Sequence, residues 1–249
     1  MKAAHKSDVG RIRLVNEDRV VVQTGLNGLT LAILADGMGG HQAGDIASQM
    51  AIEIIQEQLQ TLHAGMSVKE WEARMRDAIL LANSRIYHEA CREQKYHGMG
   101  TTVVVAVASR ERILISHIGD SRAYKISANG VDQLTEDHSL VNELVKRGQL
   151  SREEADQHPR RNVLTQALGT EENVTIDTCD VAWSENEMLM LCSDGLTDLI
   201  QPQRMNEILR ASAELQWKVD KLVESALEAG GDDNITVVLI SNEKAEDGE

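Results

Sequence analysis

The chain of 249 residues carries 25 basic and 40 acidic residues, which give a formal net charge of −15 at pH 7. This charge argues against nucleic acid or an anionic membrane as the main partner, because both are polyanions that would repel the protein. No apolar run approaches the roughly 20 residues that a membrane-spanning helix needs, and no signal peptide is evident. Three cysteines without metal-type spacing favour a reducing, cytoplasmic environment.

The composition also predicts a single domain that spans residues 1–249. The chain has only two prolines and no Ser/Gly-rich tract, so we find no linker between two folding units. We expect a core over about residues 7–241, with residues 1–7 loose and a charged, frayed tail at residues 242–249. We also expect the protein to be a monomer.

The first predicted elements are two strands, the second of which ends on an acidic residue. Val20–Gln23 and Leu29–Ala35 are predicted to pair around a turn at residues 25–28. Asp36 follows the second strand, and three glycines lie within the next four positions. Glycine lets the backbone approach a ligand closely, and a carboxylate beside an exposed carbonyl suits Mg²⁺ or Mn²⁺. An isolated Asp-Gly pair is equally an ordinary turn signal, so this motif alone does not establish a metal site.

Two amphipathic helices are predicted next. Apolar residues recur at helical spacing over residues 43–62, and again from Ser67 to about Ala90. Ser67 and Glu70 have the spacing of a capping box, in which each side chain accepts a hydrogen bond from a free backbone N–H at the helix start. Stripes this regular are typical of helices packed on a sheet, so we assign them no chemistry.

Short predicted strands joined by turns follow, in the pattern of an antiparallel meander. They cover Val103–Ala108, Arg112–Ile118, Ser121–Ile126 and Val131–Leu134. His117 lies in the second of these strands, and we interpret it as a packed histidine rather than a metal ligand.

The segment from about residue 139 to residue 166 differs in character from the rest of the chain. It combines short helical stripes, a second capping-box pair at Ser151 and Glu154, and a polar, basic stretch at residues 158–162. Loops that cover a functional site often have this composition. A plain surface insertion has the same composition, so both interpretations stay open at this point.

The last part of the chain returns to strands and helices. We predict strands at Thr175–Val181, Glu187–Cys192 and Ile235–Ser241, and helices at Met205–Ala211 and Leu215–Ala229. Cys192 lies inside an apolar strand and is interpreted as a core residue, because buried free cysteine behaves as a small apolar side chain. The order of strands, two helices, strands, two helices and a strand predicts an α+β fold.

Five acidic residues stand at the edges of these β-like runs. They are Asp18, Asp36, Asp120, Asp194 and Asp233. Strand ends within one sheet system can bring such residues together, and carboxylates that converge without a cation repel one another. A cluster of bound metal ions therefore explains the pattern better than five unrelated turns.

Six motifs then occur in the order and spacing of a known family. They are Asn-Glu-Asp from residue 16, Asp-Gly-Met-Gly-Gly-His from 36, Gly-Thr-Thr from 100, Gly-Asp-Ser-Arg from 119, Ser-Asp-Gly-Leu-Thr-Asp from 193 and Asp-Asn-Ile-Thr from 233. From about Ser7 to Ile240 the chain resembles the bacterial metal-dependent serine/threonine protein phosphatases of type 2C, the PPM family. The resemblance implies two antiparallel β-sheets in a sandwich flanked by pairs of α-helices, a four-layer αββα arrangement with a flap insertion.

The resemblance also implies a cluster of Mg²⁺ or Mn²⁺ ions, two in the core of the site and a third that binds more weakly. Asp36 would bridge the two core ions, and the carbonyl oxygen of Gly37 would bind one of them. Asp194 and Asp233 would bind the other. Such a pair of cations can hold a phosphate monoester and activate water near neutral pH, so no protein nucleophile is required.

Other residues receive supporting roles from the same resemblance. Asp18 and Glu17 would act through metal-bound water, and Asp120 together with Asp194 matches the third site. Arg13 corresponds to the arginine that holds the substrate phosphate, although its position alone favours an ordinary surface charge. The resemblance places the flap beside the active site, and we expect Asp120 to couple metal binding to flap position.

The general acid is left open by the sequence. Some family members have histidine directly after Asp-Gly, where this chain has Met38, and the nearest histidine is His41. Three alternatives follow: His41 donates the proton, a metal-bound water donates it, or His41 only packs on the glycine turn.

These motifs predict an enzyme that hydrolyses phosphoserine and phosphothreonine in proteins and so reverses serine/threonine kinase signalling. The implied partners are phosphorylated proteins, including a kinase and its substrates. Two alternatives are a phosphatase-like module that binds or senses a partner with weak catalysis, and a phosphoesterase that acts on small phosphate esters. The presence of all five acids favours the enzyme over the binding module.

Overall fold

The computed structural model of the protein describes residues 1–39 and 43–243. The strands in these ranges are β1 (Lys2–Asp8), β2 (Asp18–Leu26), β3 (Leu29–Met38), β4 (Gly100–Thr101), β5 (Val103–Ala108), β6 (Arg112–Ile118), β7 (Arg122–Ser127), β8 (Gly130–Gln133), β9 (Asp177–Ala182), β10 (Met188–Cys192) and β11 (Ile235–Ser241). The α-helices are α1 (Ala43–Leu59), α2 (Val68–Arg92), α3 (Leu140–Lys146), α4 (Arg152–Asp156), α5 (Asp194–Thr197), α6 (Pro202–Arg210) and α7 (Leu215–Glu228). A 3₁₀ turn spans Gln94–Tyr96.

These strands form two antiparallel sheets. The first sheet has the order β1-β11-β10-β7-β8, and the second has the order β2-β3-β5-β6-β9 with the short β4 paired to the end of β3. Helices α1 and α2 pack on the outer face of the second sheet, and α6 and α7 pack on the outer face of the first. This four-layer arrangement is the architecture that the resemblance implied.

The alternation of side chains along β3 explains why its sequence is apolar without interruption. Leu31 and Ile33 face the helix layer, whereas Ala32 and Leu34 face the space between the two sheets. Successive side chains of a strand point to opposite faces, and both faces of this strand are covered. A continuous apolar run is therefore the pattern that the packing requires.

The hairpin from β2 to β3 sets the register of the first two acids. Its turn consists of Asn27 and Gly28, which both have positive φ angles of 48° and 87°. A two-residue hairpin turn of this kind suits the twist of the flanking strands. It is shorter than the turn that was predicted over residues 25–28. The pairing places Asp18 directly opposite Asp36.

The expectation that residues 1–7 are loose is wrong. Lys2–Asp8 forms β1, which pairs with β11 over its whole length. Ala4 is buried in the apolar cluster beneath α6 and α7, and the Lys6 ammonium lies 3.2 Å from a carboxylate oxygen of Asp220 in α7. Sequence reasoning missed this strand because its residues are mostly polar and its partner lies more than 200 positions away in the chain.

Other predicted elements occur with shifted ends. The first helix ends at Leu59 rather than at residue 62, and α6 begins at Pro202, where proline suits the first helical turn. Both capping boxes, at Ser67 and Ser151, are present. The four-residue helix α5 was not predicted. None of the described helices is both long and apolar enough to cross a lipid bilayer.

The expectation of a frayed tail from residue 242 is wrong at its start, because Asn242 is buried and its amide nitrogen donates to the carbonyl oxygens of Arg110 at 2.9 Å and Ser184 at 3.0 Å. Residues 244–249 lie outside the described residues.

Two neighbouring residues of α2 test the helix–sheet packing. Ile79 is fully buried against the second sheet, whereas Leu80 is 41% exposed. We expect Ile79→Ala to lower the free energy of unfolding by about 2–5 kcal/mol, because it leaves a cavity. We expect Leu80→Ala to change it by about 0.5 kcal/mol or less. Urea denaturation of both variants checks this, and equal losses would contradict the assigned orientation of α2.

Candidate metal centre

The segment that leads into β2 is fixed by an arginine and by contacts with α1. Arg19 donates from Nη1 to the carbonyl oxygens of Asn16 and Asp18, both at 2.8 Å, and forms an ion pair with Asp45 of α1. The carbonyl oxygen of Glu17 accepts hydrogen bonds from the Gly37 N–H at 3.2 Å and from the Ser48 hydroxyl at 2.5 Å. These contacts hold Asn-Glu-Asp against the Asp-Gly turn at the end of β3.

The turn at Asp36 is packed too closely for any residue but glycine at its second position. A Cβ on Gly37 would lie 2.2 Å from the carbonyl oxygen of Gly44, so the turn rests backbone against backbone on α1. The Gly-Thr-Thr motif holds Asp36 from the other side. Thr102 accepts from the Asp36 N–H at 3.1 Å and donates its own N–H to the Asp36 carbonyl at 2.8 Å, and Thr101 donates its hydroxyl to the same carbonyl at 2.9 Å.

Asp194 and Asp233 are brought together by another close backbone contact. Asp194 is the first residue of α5, and Asp233 lies just before β11. A Cβ on Gly195 would lie 2.1 Å from the carbonyl oxygen of Asn234, so only glycine lets these two segments approach. Gly195, the glycine of Ser-Asp-Gly-Leu-Thr-Asp, is therefore needed so that the segments that carry Asp194 and Asp233 can pack against each other.

The side chain of Asn234 fixes the loop that carries Arg13. Its amide nitrogen donates to the carbonyl oxygens of Val9 at 2.9 Å and Val15 at 3.1 Å, and its oxygen accepts from the Glu17 N–H at 2.8 Å. This role was not predicted, although the Asp-Asn-Ile-Thr motif is its sequence signal. The half-exposed Arg13 lies on the fixed loop, and its Nη2 is 2.7 Å from Asp233 Oδ2.

Asp18 is the most deeply buried acid of the group, with 2% of its surface exposed. Its Oδ2 accepts hydrogen bonds from the hydroxyls of Ser193 at 2.8 Å and Thr236 at 2.6 Å. Its Oδ1 is buried without a hydrogen-bond partner among the described residues. Burial raises the pKa of Asp18 to about 6. An orphaned, buried carboxylate oxygen is an unusual feature, since nearly all such atoms have a partner.

Burial and the charges of neighbouring acids raise the pKa values of several of the acids that were predicted to converge. Burial is the first cause for Asp36 and Asp194, whose pKa values lie well above the usual range, and the charges of neighbouring acids add to it. Burial, followed by the charge of Asp137, raises the pKa of Asp120 to about 7. Burial also raises the pKa of Glu17. The structure therefore brings these predicted acids into one electrostatically coupled group.

This group suits a hard divalent cation. Carboxylate and carbonyl oxygens are the ligands that Mg²⁺ and Mn²⁺ prefer, and the buried Oδ1 of Asp18 has no hydrogen-bond partner among the described residues. A nearby positive charge would lower the pKa values that burial and mutual repulsion raise. The donor set and the electrostatics thus fit the ions that the resemblance implied.

Asp120 lies at the turn between β6 and β7 and lines a cavity of about 500 Å³ together with Asp194 and residues of the predicted flap. The flap contains α3 and α4, and its ends meet where Ser139 and Leu164 form an antiparallel bridge. Asp137 and Asp198 are among the further acids of this cavity that received no role from the sequence. Asp137 accepts from both Nε and Nη2 of Arg122 at 2.6–3.0 Å, and Asp198 lies 3.4 Å from Arg161 of the flap.

The histidines and Cys192 are placed as follows. The proposed general acid His41 lies outside the described residues, together with Gly40 and Gln42. His117 is buried and hydrogen-bonded, as its interpretation as a packed histidine predicted. Cys192 is fully buried in the first sheet, and burial raises the pKa of its thiol to about 12. Cys192 is therefore a core residue, as expected.

Comparisons with known proteins agree with this geometry. The family described as "Protein phosphatase 2C" matches residues 11–228. The chain is 41% identical over 248 residues to "Serine/threonine phosphatase stp" of Listeria monocytogenes serovar 1/2a, with 100% of this chain and 98% of that protein covered.

Solved structures extend the likeness to three dimensions. Serine/threonine phosphatase Stp1 from Staphylococcus aureus matches with a TM-score of 0.92 at 34% identity, covering 98% of this chain and 95% of that one. The catalytic domain of serine threonine protein phosphatase PstP in complex with 2 manganese ions matches with a TM-score of 0.81 at 33% identity and covers 96% of each chain. With a family match over most of its length and a relative of 41% identity across all of it, this chain belongs to the protein phosphatase 2C family of metal-dependent serine/threonine protein phosphatases.

Proposed function

We propose that Asp36, the Gly37 carbonyl, Asp194 and Asp233 hold two divalent cations, Mg²⁺ or Mn²⁺, at which phosphoserine and phosphothreonine of proteins are hydrolysed. The observation that carries this proposal is the buried Oδ1 of Asp18, which has no partner inside a group of acids with raised pKa values. When bound, such cations activate water and shield the charge of the phosphate. The acids of this chain then serve to hold the ions and to orient water.

Asp18 and Glu17 are proposed to act on the ions through water. Oδ2 of Asp18 is already occupied by the hydroxyls of Ser193 and Thr236, which leaves Oδ1 free to accept from a water molecule. The backbone of Glu17 is tied to Gly37 and Asn234, so its carboxylate is held next to the Asp-Gly turn. Both residues therefore have a fixed position, and Asp18 also has an oxygen available for water.

Arg13 is proposed to hold the substrate phosphate. Its loop is fixed at both ends by Asn234, and one of its nitrogens already lies 2.7 Å from Asp233. The planar guanidinium has further donors for phosphate oxygens. The ion pair with Asp233 thus orients Arg13 toward the acids without using all of its hydrogen-bonding capacity.

Asp120, together with Asp194, is proposed to bind a third, weaker cation next to the flap. The two acids line the same cavity as Asp156 and Arg161 of the flap, and after burial the charge of Asp120 is the next cause that raises the pKa of Asp194. We also propose that residues 1–249 form one domain, that the protein acts as a cytoplasmic monomer, and that its partners are phosphorylated proteins, among them a serine/threonine kinase and its substrates. The relatives named as serine/threonine phosphatases support this substrate class.

The two-ion site predicts a strict dependence on Asp36 and Asp233. Each of Asp36→Asn and Asp233→Asn should lower kcat/KM on a phosphothreonine peptide by about 100-fold or more, because it removes a charge that holds the cations. Excess chelator should abolish wild-type activity, and Mn²⁺ or Mg²⁺ should restore it. Asp77→Asn, which changes an exposed acid of α2, should have no effect. Full activity of Asp36→Asn, or activity that persists in chelator, would rule the site out.

A substitution at Arg13 separates phosphate binding from metal binding. Arg13→Ala should lower kcat/KM on phosphopeptides by about 10- to 100-fold, because a charge-assisted hydrogen bond to phosphate is lost. Calorimetric titration with Mn²⁺ should show an affinity no weaker than that of the wild type. Arg11→Ala, on the same loop, is the matched control and should retain activity. A folded Arg13→Ala protein with wild-type kinetics would make Arg13 an ordinary surface charge.

The raised pKa of Asp120 makes the stability of the metal-free protein depend on pH. The pKa is about 7 in the folded chain and about 4 in an unfolded one, so the folded state holds more protons between these values. The contribution of Asp120 to the free energy of unfolding is therefore most favourable at low pH, and it is lost as the pH rises toward 7.

Asp120→Asn removes this titrating charge. In excess chelator at pH 7.5 its Tm should exceed that of the wild type by about 3 °C or more, and the difference should shrink at pH 5. Asp77→Asn again serves as the control and should show no such trend. Thermal unfolding of the three proteins checks this, and a metal-free Asp120→Asn protein that is less stable than the wild type at pH 7.5 would contradict it.

A further inference from the structure

The five residues Thr135–Ser139, here called the 135–139 segment, join β8 to the flap, and each is fixed by a different contact. The Thr135 hydroxyl accepts from the Ala123 N–H at 3.0 Å, and the Asp137 carboxylate binds Arg122. The Ser139 hydroxyl accepts from the Asn142 N–H and caps α3. These contacts give the 135–139 segment a structural role of its own.

His138 is the residue of this segment that contacts the turn of Asp120. Its backbone N–H donates to the carbonyl oxygen of Gly119 at 3.0 Å, and its Nδ1 accepts from the Gly119 N–H at 3.2 Å. Both backbone groups of Gly119 are thus bound by one residue. The carbonyl oxygen of His138 in turn accepts from the N–H of Thr165, where the chain leaves the flap, at 2.8 Å.

Gly119 is also confined from the opposite side. Its φ angle is 106°, and a Cβ at this position would lie 2.6 Å from the side chain of Thr102. Thr102 is the residue that binds both backbone groups of Asp36, and its hydroxyl also bonds the Ser121 hydroxyl at 2.8 Å. A continuous chain of contacts therefore runs from the flap through His138 and Gly119 to Thr102 and Asp36.

The hydrogen bonds determine which nitrogen of His138 carries the proton. Since Nδ1 accepts from Gly119, the proton of the neutral ring lies on Nε2, which faces Asp177 Oδ2 at 3.4 Å. The ring is stacked on His117 with a centroid distance of 4.9 Å and an interplanar angle of 24°. His117 is itself held by a 2.9 Å hydrogen bond from its Nε2 to the Glu136 carbonyl.

The same three side chains have the types and the proximity of a metal site. Ligand atoms of His117, His138 and Asp177 lie within 4.8 Å of one another. A metal ion at Nε2 of His138 would need a lone pair there, but the one lone pair of the neutral ring is already used by Gly119. Stacked rings also hold their in-plane lone pairs in nearly parallel planes that lie apart, so the lone pairs do not converge readily on one point. The contacts therefore favour a hydrogen-bonded group over a metal site.

We propose that His138 is a positioning residue that holds Gly119, and with it the Asp120 carboxylate, in register with the base of the flap. Both ends of the flap meet at His138, since Ser139 begins it and Thr165 binds the His138 carbonyl. A displacement of the flap base therefore changes the position of Gly119, the neighbour of Asp120. The functional part of this proposal rests on the proposed role of Asp120, whereas its structural part does not.

Two substitutions at His138 test the hydrogen bond from the Gly119 N–H separately from the size of the side chain. In His138→Asn the amide oxygen occupies the position of Nδ1 and can accept from Gly119. In His138→Gln the amide lies one carbon further out and reaches toward Asp177 instead. Asp177→Asn is the matched control, because it keeps the rings and leaves an oxygen that accepts from Nε2–H.

The first measurement is hydrogen exchange at the Gly119 amide, which does not depend on activity. We expect His138→Asn and Asp177→Asn to keep its protection near that of the wild type, and His138→Gln to lose it by about tenfold or more. Kinetics form the second measurement. His138→Gln should lower kcat on a phosphothreonine peptide about tenfold with two tightly bound Mn²⁺ ions retained, whereas His138→Asn should stay within about twofold of the wild type.

The outcomes distinguish this proposal from the proposed function. Equal exchange and equal kcat in the Asn and Gln variants would overturn the positioning role, and so would stoichiometric Zn²⁺ binding that is lost in His117→Ala. Loss of protection at Gly119 in the Gln variant without a change in peptide turnover would overturn the link to Asp120. If the wild type showed no metal-dependent activity, the proposed function would fail, while the exchange pattern would still support or refute the contact with Gly119.

Discussion

The constraint on which this structure depends is the gathering of several carboxylates in a space where water is scarce. Asp18 is almost fully buried, and one of its oxygens has no partner among the described residues. Burial and mutual repulsion raise the pKa values of Asp18, Asp36 and Asp194. Such an arrangement opposes folding unless rigid neighbours and bound cations offset it. The rest of the site can be understood as the means by which the fold keeps these acids together.

The acids are held by their backbones more than by their side chains. The register of β2 and β3 sets Asp18 opposite Asp36, and Thr102 binds both backbone groups of Asp36. At Gly37 and Gly195 the absence of a side chain lets two segments touch backbone to backbone. At Asp36 this clamping uses the backbone N–H and carbonyl and none of the carboxylate oxygens.

The parts of the fold that could be predicted from the sequence are those whose signal is local. The apolar run of β3, the stripe of α2 and the capping box at Ser67 each depend on residues close in the chain, and the structure contains all three. The strand β1 was missed because its polar residues become a strand only through pairing with β11. The acids were found because their motifs are specific. Asn234 and His138 were not given their roles, because both bind backbone groups whose proximity appears only after folding.

The contacts around Gly119 connect the base of the flap to the group of acids. Hydrogen bonds between backbone groups tolerate little displacement before they weaken, and the path from Thr165 through His138 and Gly119 to Thr102 consists largely of such bonds. Arg122 and Asp137 hold the same region by a second, charged contact with good bidentate geometry. A flap joined to the acids only by a flexible chain could move without affecting them. Here its base is hydrogen-bonded through His138 to Gly119, the residue before Asp120, and on our proposal the position of the flap and the placement of that carboxylate are therefore set together.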